Sequence, residues 1–591
     1  NFGNQCAGAF LQEKRCTTLY RLDDDRHPEP VAISNNKDFD RFPTVLNDGT
    51  IGFMHWEYQE RGFYNQHTLW SCRPDGTNMD AMYKQHIDTP MSVRVVKQIP
   101  NSPLFVGTMQ GHHDGHYGPI VIFNPSKGIN NTEAMWSATP GVGGVEGGLG
   151  PLEEQFVEEG GVENRGGYFV DPFPMSEKAF IAGHDMSGDK AEFALYYVDV
   201  WGNRELLHRE DETACFEPFP LRPRARPPVI PDTIDPEADH ATVFVENVYR
   251  DLPGVEHGAV KYLRISQKLP LPAPADDDTG KGYNHLHWLP GGVLAGHLGA
   301  WSWSPTRNIG IVEVNEDGSA FFKVPAGTPV FLQALDENYC EVRRMRTSFT
   351  LQRGEFRSCV GCHESRLETA GSRPNYPVGT FQSGPQVPEP PSWGDRTVLD
   401  FEKHVQPILN KHCVSCHGED DPEGGLEFTE RKIGGFMQSY RTMFGLSAED
   451  PTPVTDMDIH LTLNPDAADD KYFTEKEANE ILKKSMAYNE YPGMLVKISD
   501  RMEQNASITM PYQYGSNVSK LIRTLLDDEK HREEVKAEMT TDEWLRLVTW
   551  VDNNALYFST VIDKSEYGRD GSGPLYRVEY ILPSPWTPAD T

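Results

Sequence analysis

Two strings in this sequence, Cys359-Val360-Gly361-Cys362-His363 and Cys413-Val414-Ser415-Cys416-His417, have residue types and spacing that dictate a chemistry. Two thiols three residues apart reach the two vinyl groups on one porphyrin edge, and the adjacent imidazole swings under the ring to ligate iron. C-x-x-C-H is the attachment pattern of a c-type haem, so two covalent haems are expected. A zinc site made from the four cysteines of the two pairs is the competing reading, but a histidine directly after each pair has no role in it. Cys359, Cys362 and His363 are thus assigned to haem 1, and Cys413, Cys416 and His417 to haem 2, with His417 as proximal ligand. Two downstream residues compete for the sixth position of haem 2. Met510, in Thr509-Met510-Pro511-Tyr512, fits the loop methionine of ordinary class I cytochromes c, and His531, in Asp528-Glu529-Lys530-His531, offers an imidazole.

Haem c is attached outside the cytoplasm, so the chain is expected to be exported to a periplasmic or extracellular compartment that permits disulfides. Of nine cysteines, four are used by the haem motifs. Cys6 and Cys16 are expected to pair, which leaves Cys72, Cys215 and Cys340 with at least one free thiol able to act as a metal ligand. Gly111-His112-His113-Asp114-Gly115-His116 gathers three imidazoles and a carboxylate in six residues, a cluster suited to a metal or to lining a substrate channel, and equally readable as a polar loop. Asn284-His285-Leu286-His287 is a weaker version of the same pattern.

Composition bounds the remaining functions. The 591 residues carry 55 Lys and Arg against 88 Asp and Glu, a formal charge of −33. That excludes a nucleic-acid binder as a class, because phosphate neutralisation needs a basic surplus, and argues against docking on anionic lipid. No apolar run approaches the 18 residues or so of a membrane span. There is no G-x-S-x-G, P-loop or H-E-x-x-H to support a hydrolase or phosphoryl transferase.

The elements that must position these residues read as a multidomain protein. Residues 1–258 repeat an apolar β-rich phrase ending in Asp or Asn and a polar turn, as in Leu19-Tyr20-Arg21-Leu22-Asp23 and Leu195-Tyr196-Tyr197-Val198-Asp199. A period near 50 with D-G turns predicts an all-β propeller with TolB- or WD-like blades, four or five of them visible and the ring incomplete or closed by later strands. The Gly-rich 141–167 stretch reads as an inserted loop. Residues 259–370 predict a small β-sandwich-like middle domain whose last strand runs into haem 1. A proline-rich linker, 371–395, reads as a stiff spacer. Residues 396–591 predict a mainly α cytochrome c domain with haem 2. A helix precedes Cys413, an insertion spans 418–500, and a capping box at Thr540-Thr541-Asp542-Glu543 opens the last helix with Trp544, Leu547, Val548 and Val551 on one face. The run Glu217–Pro228 is rigid and locally basic, a strap between domains or a contact for haem propionates.

The middle segment resembles the hydrazine synthase alpha-subunit family. The residues that carry the resemblance are Asp317-Gly318-Ser319-Ala320-Phe321-Phe322, Gln333-Ala334-Leu335-Asp336, Met345-Arg346-Thr347, Gly354-Glu355 and Ser358 to Glu364, with Glu217 to Pro228 and Trp544 to Asn554 outside it. The resemblance implies a propeller, a middle domain whose haem 1 is a reaction centre, and a C-terminal domain whose haem 2 delivers electrons. It places a distal histidine at His531, the lower-potential choice suited to a relay. It also implies a zinc ion beside haem 1, turned to by His363, for which Cys215 with Asp114, His112 or His116 are candidate ligands or catalytic groups. The family's reaction-centre tyrosine lies four residues after the motif histidine. Leu367 stands there, and leucine cannot ligate iron. The expected function is a dihaem oxidoreductase acting on a small nitrogenous molecule with a redox partner or further subunits. A non-catalytic dihaem electron carrier and a propeller docking subunit are the alternatives, and an open iron position separates the first from the second.

Overall fold

The computed structural model describes residues 17–22, 29–57, 67–87, 90, 92–111, 117–142, 166–187, 192–269, 286–289, 305–362, 378–433, 436–446, 493–499, 508–563, 576–578 and 582–586. The chain is rich in β-structure with a few helices, most of them in its last third.

Three four-stranded antiparallel meanders build the first part. β1 (Phe39–Val45), β2 (Ile51–Trp56), β3 (His67–Cys72) and β4 (Asp80–Tyr83) form one. β5 (Ser92–Gln98), β6 (Phe105–Gln110), β7 (Ile120–Phe123) and β8 (Met135–Ser137) form the second, joined to the first by a His67–Ser92 bridge. β9 (Tyr168–Ser176), β10 (Ala179–Asp185), β11 (Ala194–Asp199) and β12 (Arg204–His208) form the third. One device recurs in each leading strand. Its fourth residue (Phe42, Val95 and Asp171) has a positive φ of 55°, 50° and 51°, and the ladder slips at that point. Positive φ is costly for a bulky or β-branched residue. A bulge repeated at one register in three strands is therefore a built feature of the repeat.

The middle unit packs two sheets on one apolar core that includes Val243, Leu263, Ile309, Phe322 and Val342. One sheet holds β13 (His240–Val245) between β16 (Ala320–Pro325) and β19 (Phe356–Cys359), the last pairing parallel. The other runs β15 (Thr306–Glu313), β14 (Tyr262–Lys268), β17 (Phe331–Leu335) and β18 (Glu341–Arg344). β13 lies before residue 258 in the chain, so strand pairing carries the middle unit back to His240. The proline-rich stretch is bound along this unit rather than standing off it. Gln386 pairs with Phe321 and Lys323, and Glu389 exchanges two backbone bonds with Ile311.

In the last part a π-helical turn, Phe401–Val405, leads into α1 (Gln406–His412), which ends at Cys413. α2 (Gln438–Met443), α3 (Lys520–Asp527), α4 (Glu529–Glu534) and α5 (Thr541–Asp552) follow. The capping box forms as its sequence predicts: Glu543 N donates to the Thr540 hydroxyl at 3.2 Å, and Thr540 N donates to the Glu543 carboxylate at 2.8 Å. Trp544, Leu547, Val548 and Val551 are buried in the shared helical core. Among the described residues no helix is long and apolar enough to cross a membrane.

Candidate haem and electron-transfer site

The second C-x-x-C-H string forms a tight turn off the end of α1. Cys413 N donates to Leu409 O, and the amides of Cys416 and His417 both donate to Cys413 O, at 3.2 and 2.9 Å. That turn sets the two thiols side by side and projects the imidazole of His417. Burial pushes the Cys413 thiol up to about 12, whereas Cys416 is exposed. The Nδ1 atom of His417 lies 3.0 Å from Leu426 O, which leaves Nε2 for a metal.

His531 faces it. The two ring centroids are 6.5 Å apart with planes 23° from parallel. Two imidazoles on opposite sides of one metal, each bonded at about 2 Å with roughly 1.1 Å from nitrogen to ring centre, give a spacing of ~6 Å. The Nδ1 atom of His531 is also engaged, 2.7 Å from the Asp528 carboxylate, so its Nε2 is likewise the free nitrogen. Anchoring of the non-ligating nitrogen by a carbonyl or carboxylate is the usual outer support of a metal-bound histidine. Asp528 has a second role, since the same oxygen accepts from His531 N and caps α4. Lys530 pairs with Glu423 at 3.1 Å, tying α4 to the loop after His417, and this pairing holds the Glu423 carboxyl below its usual range. The residues present fit a c-type haem, which Cys413 and Cys416 would hold covalently and His417 and His531 would ligate. Met510 is half-exposed on a loop bound elsewhere: Thr509 donates its hydroxyl to Arg344 O, and Tyr512 N donates to Val342 O, both on β18.

The first string begins on the last residue of β19. Glu246 N donates to Cys359 O and Cys362 N donates to Arg250 O at 3.3 Å, so the motif is laid against the 246–250 turn. Gly361 is required there, because a side chain at that position would meet Arg250 O at 2.6 Å. Burial pushes the Cys362 thiol up to about 11, partly countered by the nearby guanidinium of Arg343. Arg343 is itself fixed by a 3.1 Å bond to Asp251 O. His363 and Leu367 lie outside the described residues, as do Cys6, Cys16, His285 and the whole His112–Asp114–His116 cluster.

Comparison with known proteins bears on the middle unit and on the fold. Residues 258–364 match the hydrazine synthase alpha subunit middle domain. A curated relative, hydrazine synthase subunit alpha of Kuenenia stuttgartiensis, is 23% identical over 241 residues, which is 32% of this chain and 30% of that protein. The alignment thus spans about a third of the relative's length. A solved structure, Kuenenia stuttgartiensis hydrazine synthase, superposes on 95% of this chain and 74% of its own with a TM-score of 0.58 at 14% identity, so the two share a fold. The chain is a homologue of the hydrazine synthase alpha subunit.

In this homologue Cys215 is half-buried, its amide bonded to Phe193 O at 2.8 Å. The neighbouring Ala214 packs on a cluster of Tyr117, Tyr168, Val170 and Phe193. Tyr117 directly follows the His112–His116 segment in sequence. Among the described residues no three His, Cys, Asp or Glu side chains converge as a metal site. Cys72 and Cys340 are buried thiols, both pushed up by burial.

Sequence reasoning missed two features. One is Asp528 as the orienting group of His531, although an Asp three residues before a His at a helix start is the visible signal. The other is the polar seam joining the two units that carry the C-x-x-C-H strings. Arg264 of β14 pairs with Asp552 at the end of α5 at 2.9 Å, both fully buried. Arg344 reaches Asn554 at 3.1 Å and Glu341 at 2.6 Å, and Asn553 donates to Asn308 at 3.0 Å.

Proposed function

We propose that this homologue is an exported dihaem c-type cytochrome oxidoreductase. Haem 1, carried by Cys359 and Cys362, is the centre for a small nitrogenous molecule, and haem 2, carried by Cys413, Cys416, His417 and His531, relays electrons to or from it. The observation that carries the reading is the pair of facing imidazoles, His417 and His531, each with Nδ1 anchored and Nε2 free at the spacing of a shared metal. When bound, haem 2 supplies one-electron exchange and haem 1 supplies an iron position for the molecule. The chain's own part is positional. Asp528 and Leu426 O orient the two histidines, and Arg343 holds a positive charge beside Cys362. The buried Arg264–Asp552 pair keeps the two units in register.

The reading includes a propeller in the first ~258 residues, built on the three bulged meanders, with the middle unit beginning near residue 240. It also includes a zinc ion near haem 1, for which the candidate ligands are Cys215 with Asp114 or a histidine of the His112–His116 loop (His112 or His116), joined by His363. The relative is a subunit by name, and further subunits or a redox protein are the expected partners here. Leu367, where the family resemblance places an iron-binding tyrosine, directs the reading to chemistry on a nitrogenous substrate other than hydrazine synthesis.

The test is an electron paramagnetic resonance spectrum of the oxidised protein with cyanide and nitric oxide titrations. The expected result is one low-spin bis-histidine haem and one haem that binds the added ligands, shifting about half of the Soret intensity. Two low-spin haems indifferent to both ligands would leave the electron-carrier alternative.

A further inference from the structure

The surroundings of the two C-x-x-C-H strings carry opposite charge. Beside the first string two successive backbone carbonyls are taken. Arg250 O accepts from Cys362 N at 3.3 Å, and Asp251 O accepts from a guanidinium nitrogen of Arg343 at 3.1 Å. Arg343 of β18 is therefore held against the cysteine assigned to haem 1, and its charge is felt by the Cys362 thiol. It is 7% exposed, and its bonded acceptor is a neutral carbonyl. Among the described residues no carboxylate lies within ion-pair distance of Arg343, the Asp251 carboxylate being turned to Arg250 at 3.8 Å. A guanidinium keeps its charge when buried.

Around the second string the charge is negative. Glu419, Asp420, Asp421 and Glu423 follow His417 closely. Glu423 N donates to Cys416 O at 3.0 Å, which folds that loop back on the exposed cysteine. Asp528 lies 2.7 Å from Nδ1 of His531, and Asp527 and Glu529 flank it. Lys530 and Arg431 pair with Glu423 and Glu419, and the remaining carboxylates leave the balance acidic.

A haem loses one unit of positive charge on reduction. A cation held out of water beside it therefore favours the reduced state, and a carboxylate favours the oxidised state. A carboxylate on the far nitrogen of an axial imidazole acts in the second direction too, by making the ligand a stronger base. The loop carboxylates are exposed and screened by salt, so Asp528, acting through the ligand itself, carries most of the effect at haem 2. Hydrogen bonding and burial are among the levers that set a haem potential.

We infer that this asymmetry gives the electron transfer one direction: Arg343 raises the potential of haem 1, Asp528 lowers that of haem 2, and electrons run from haem 2 to haem 1. In the step, ferrous haem 2 becomes ferric as ferric haem 1 becomes ferrous. A one-electron donor protein then refills haem 2, and the molecule at haem 1 is the electron acceptor, so the chemistry there is a reduction. This inference rests on the dihaem reading and adds the direction that reading leaves open.

A redox titration of the haem-loaded full chain, followed optically and by electron paramagnetic resonance, is expected to reduce haem 1 first. The low-spin bis-histidine resonance of haem 2 should be the last to vanish. Arg343→Gln is expected to lower the midpoint of haem 1 by at least about tenfold in equilibrium constant, or ~59 mV for one electron, with haem 2 unmoved. Arg343→Lys, which keeps the charge, should restore it. Asp528→Asn, which keeps the α4 cap, should raise the midpoint of haem 2 alone. Should Arg343→Gln fail to fold, the wild-type order and Asp528→Asn decide. With both haems present, reduction of haem 2 first, or midpoints indifferent to the charge-removing variants, overturns the direction and leaves the dihaem reading intact. A chain lacking either haem overturns both.

Discussion

At the residue scale, the two anchored imidazoles make separable claims. His531→Ala is expected to leave haem 2 five-coordinate, converting its low-spin ferric resonance to high-spin and raising its potential. Met510→Ala should leave the spectrum as it is, since that side chain sits on the β18 loop. A sulfur-to-iron absorption band lost in Met510→Ala would reverse the assignment. Asp528→Ala removes both the α4 cap, about 1 kcal/mol, and the Nδ1 support. Carbon monoxide should then displace His531 about 10–100-fold more readily. His55 gives a pH prediction of a different kind. It is fully buried with Nδ1 2.7 Å from Asp40 and Nε2 3.3 Å from Glu57, its ring centre 4.1 Å from that of Trp70. Burial opposes its charge, but the two carboxylates prevail and raise it from 6.5 to about 9. Its stabilisation is therefore complete below about pH 6.5 and is lost as pH rises through about 9, a change of about 3 kcal/mol. Glu57 also accepts from Thr347 and Ser348 of the middle unit, so the loss should loosen that contact. Chemical denaturation at pH 6 and 9, repeated for His55→Gln, checks it: the variant should lack the alkaline drop.

At the element scale, what could be read from sequence was what is local. The turns Asp48-Gly49-Thr50, Asp75-Gly76-Thr77 and Asp317-Gly318-Ser319 each close with the aspartate accepting from the amide and hydroxyl two residues on. Each glycine has positive φ, so the residue pattern states its own conformation. The helix before Cys413 and the capping box were legible for the same reason. The positive-φ bulges were not, because Phe42, Val95 and Asp171 share a register and nothing chemical. Nor was the parallel pairing of β13 with β19, whose partners lie 114 residues apart at Thr242 and Phe356. The basic run Glu217–Pro228, an arm between β12 and β13, was legible as rigid, while its seat was not. At that seat Gly49, at φ 88°, lies so close to the arm that a Cβ would stand 2.3 Å from Pro228 O. Gly49→Ala is expected to cost about 1–3 kcal/mol and to loosen the arm, read as faster amide exchange over residues 226–233. An alanine variant with wild-type stability and exchange would mean that the arm is not held there.

At the scale of the whole molecule, the proposed relay would need its two haems at a fixed separation, and the seam between β14, β18 and the end of α5 is the element that would fix it. Its centre is Arg264 with Asp552, both out of water, the carboxylate also accepting from Ser516 N at 2.7 Å. A buried pair adds little net stability over an apolar replacement, but removing one partner strands the other charge at about 3–5 kcal/mol. Asp552→Ala should therefore destabilise the joint far more than either unit, because the sandwich core and the helical core are separate. Denaturation monitored at both haems should split from one transition into two, and electron exchange between haems after flash reduction should slow. Arg264→Met with Asp552→Leu, which leaves no stranded charge, should restore a single transition. If Asp552→Ala lowered the one transition without splitting it, the seam would be part of a common core and not the element that sets the two haems in register.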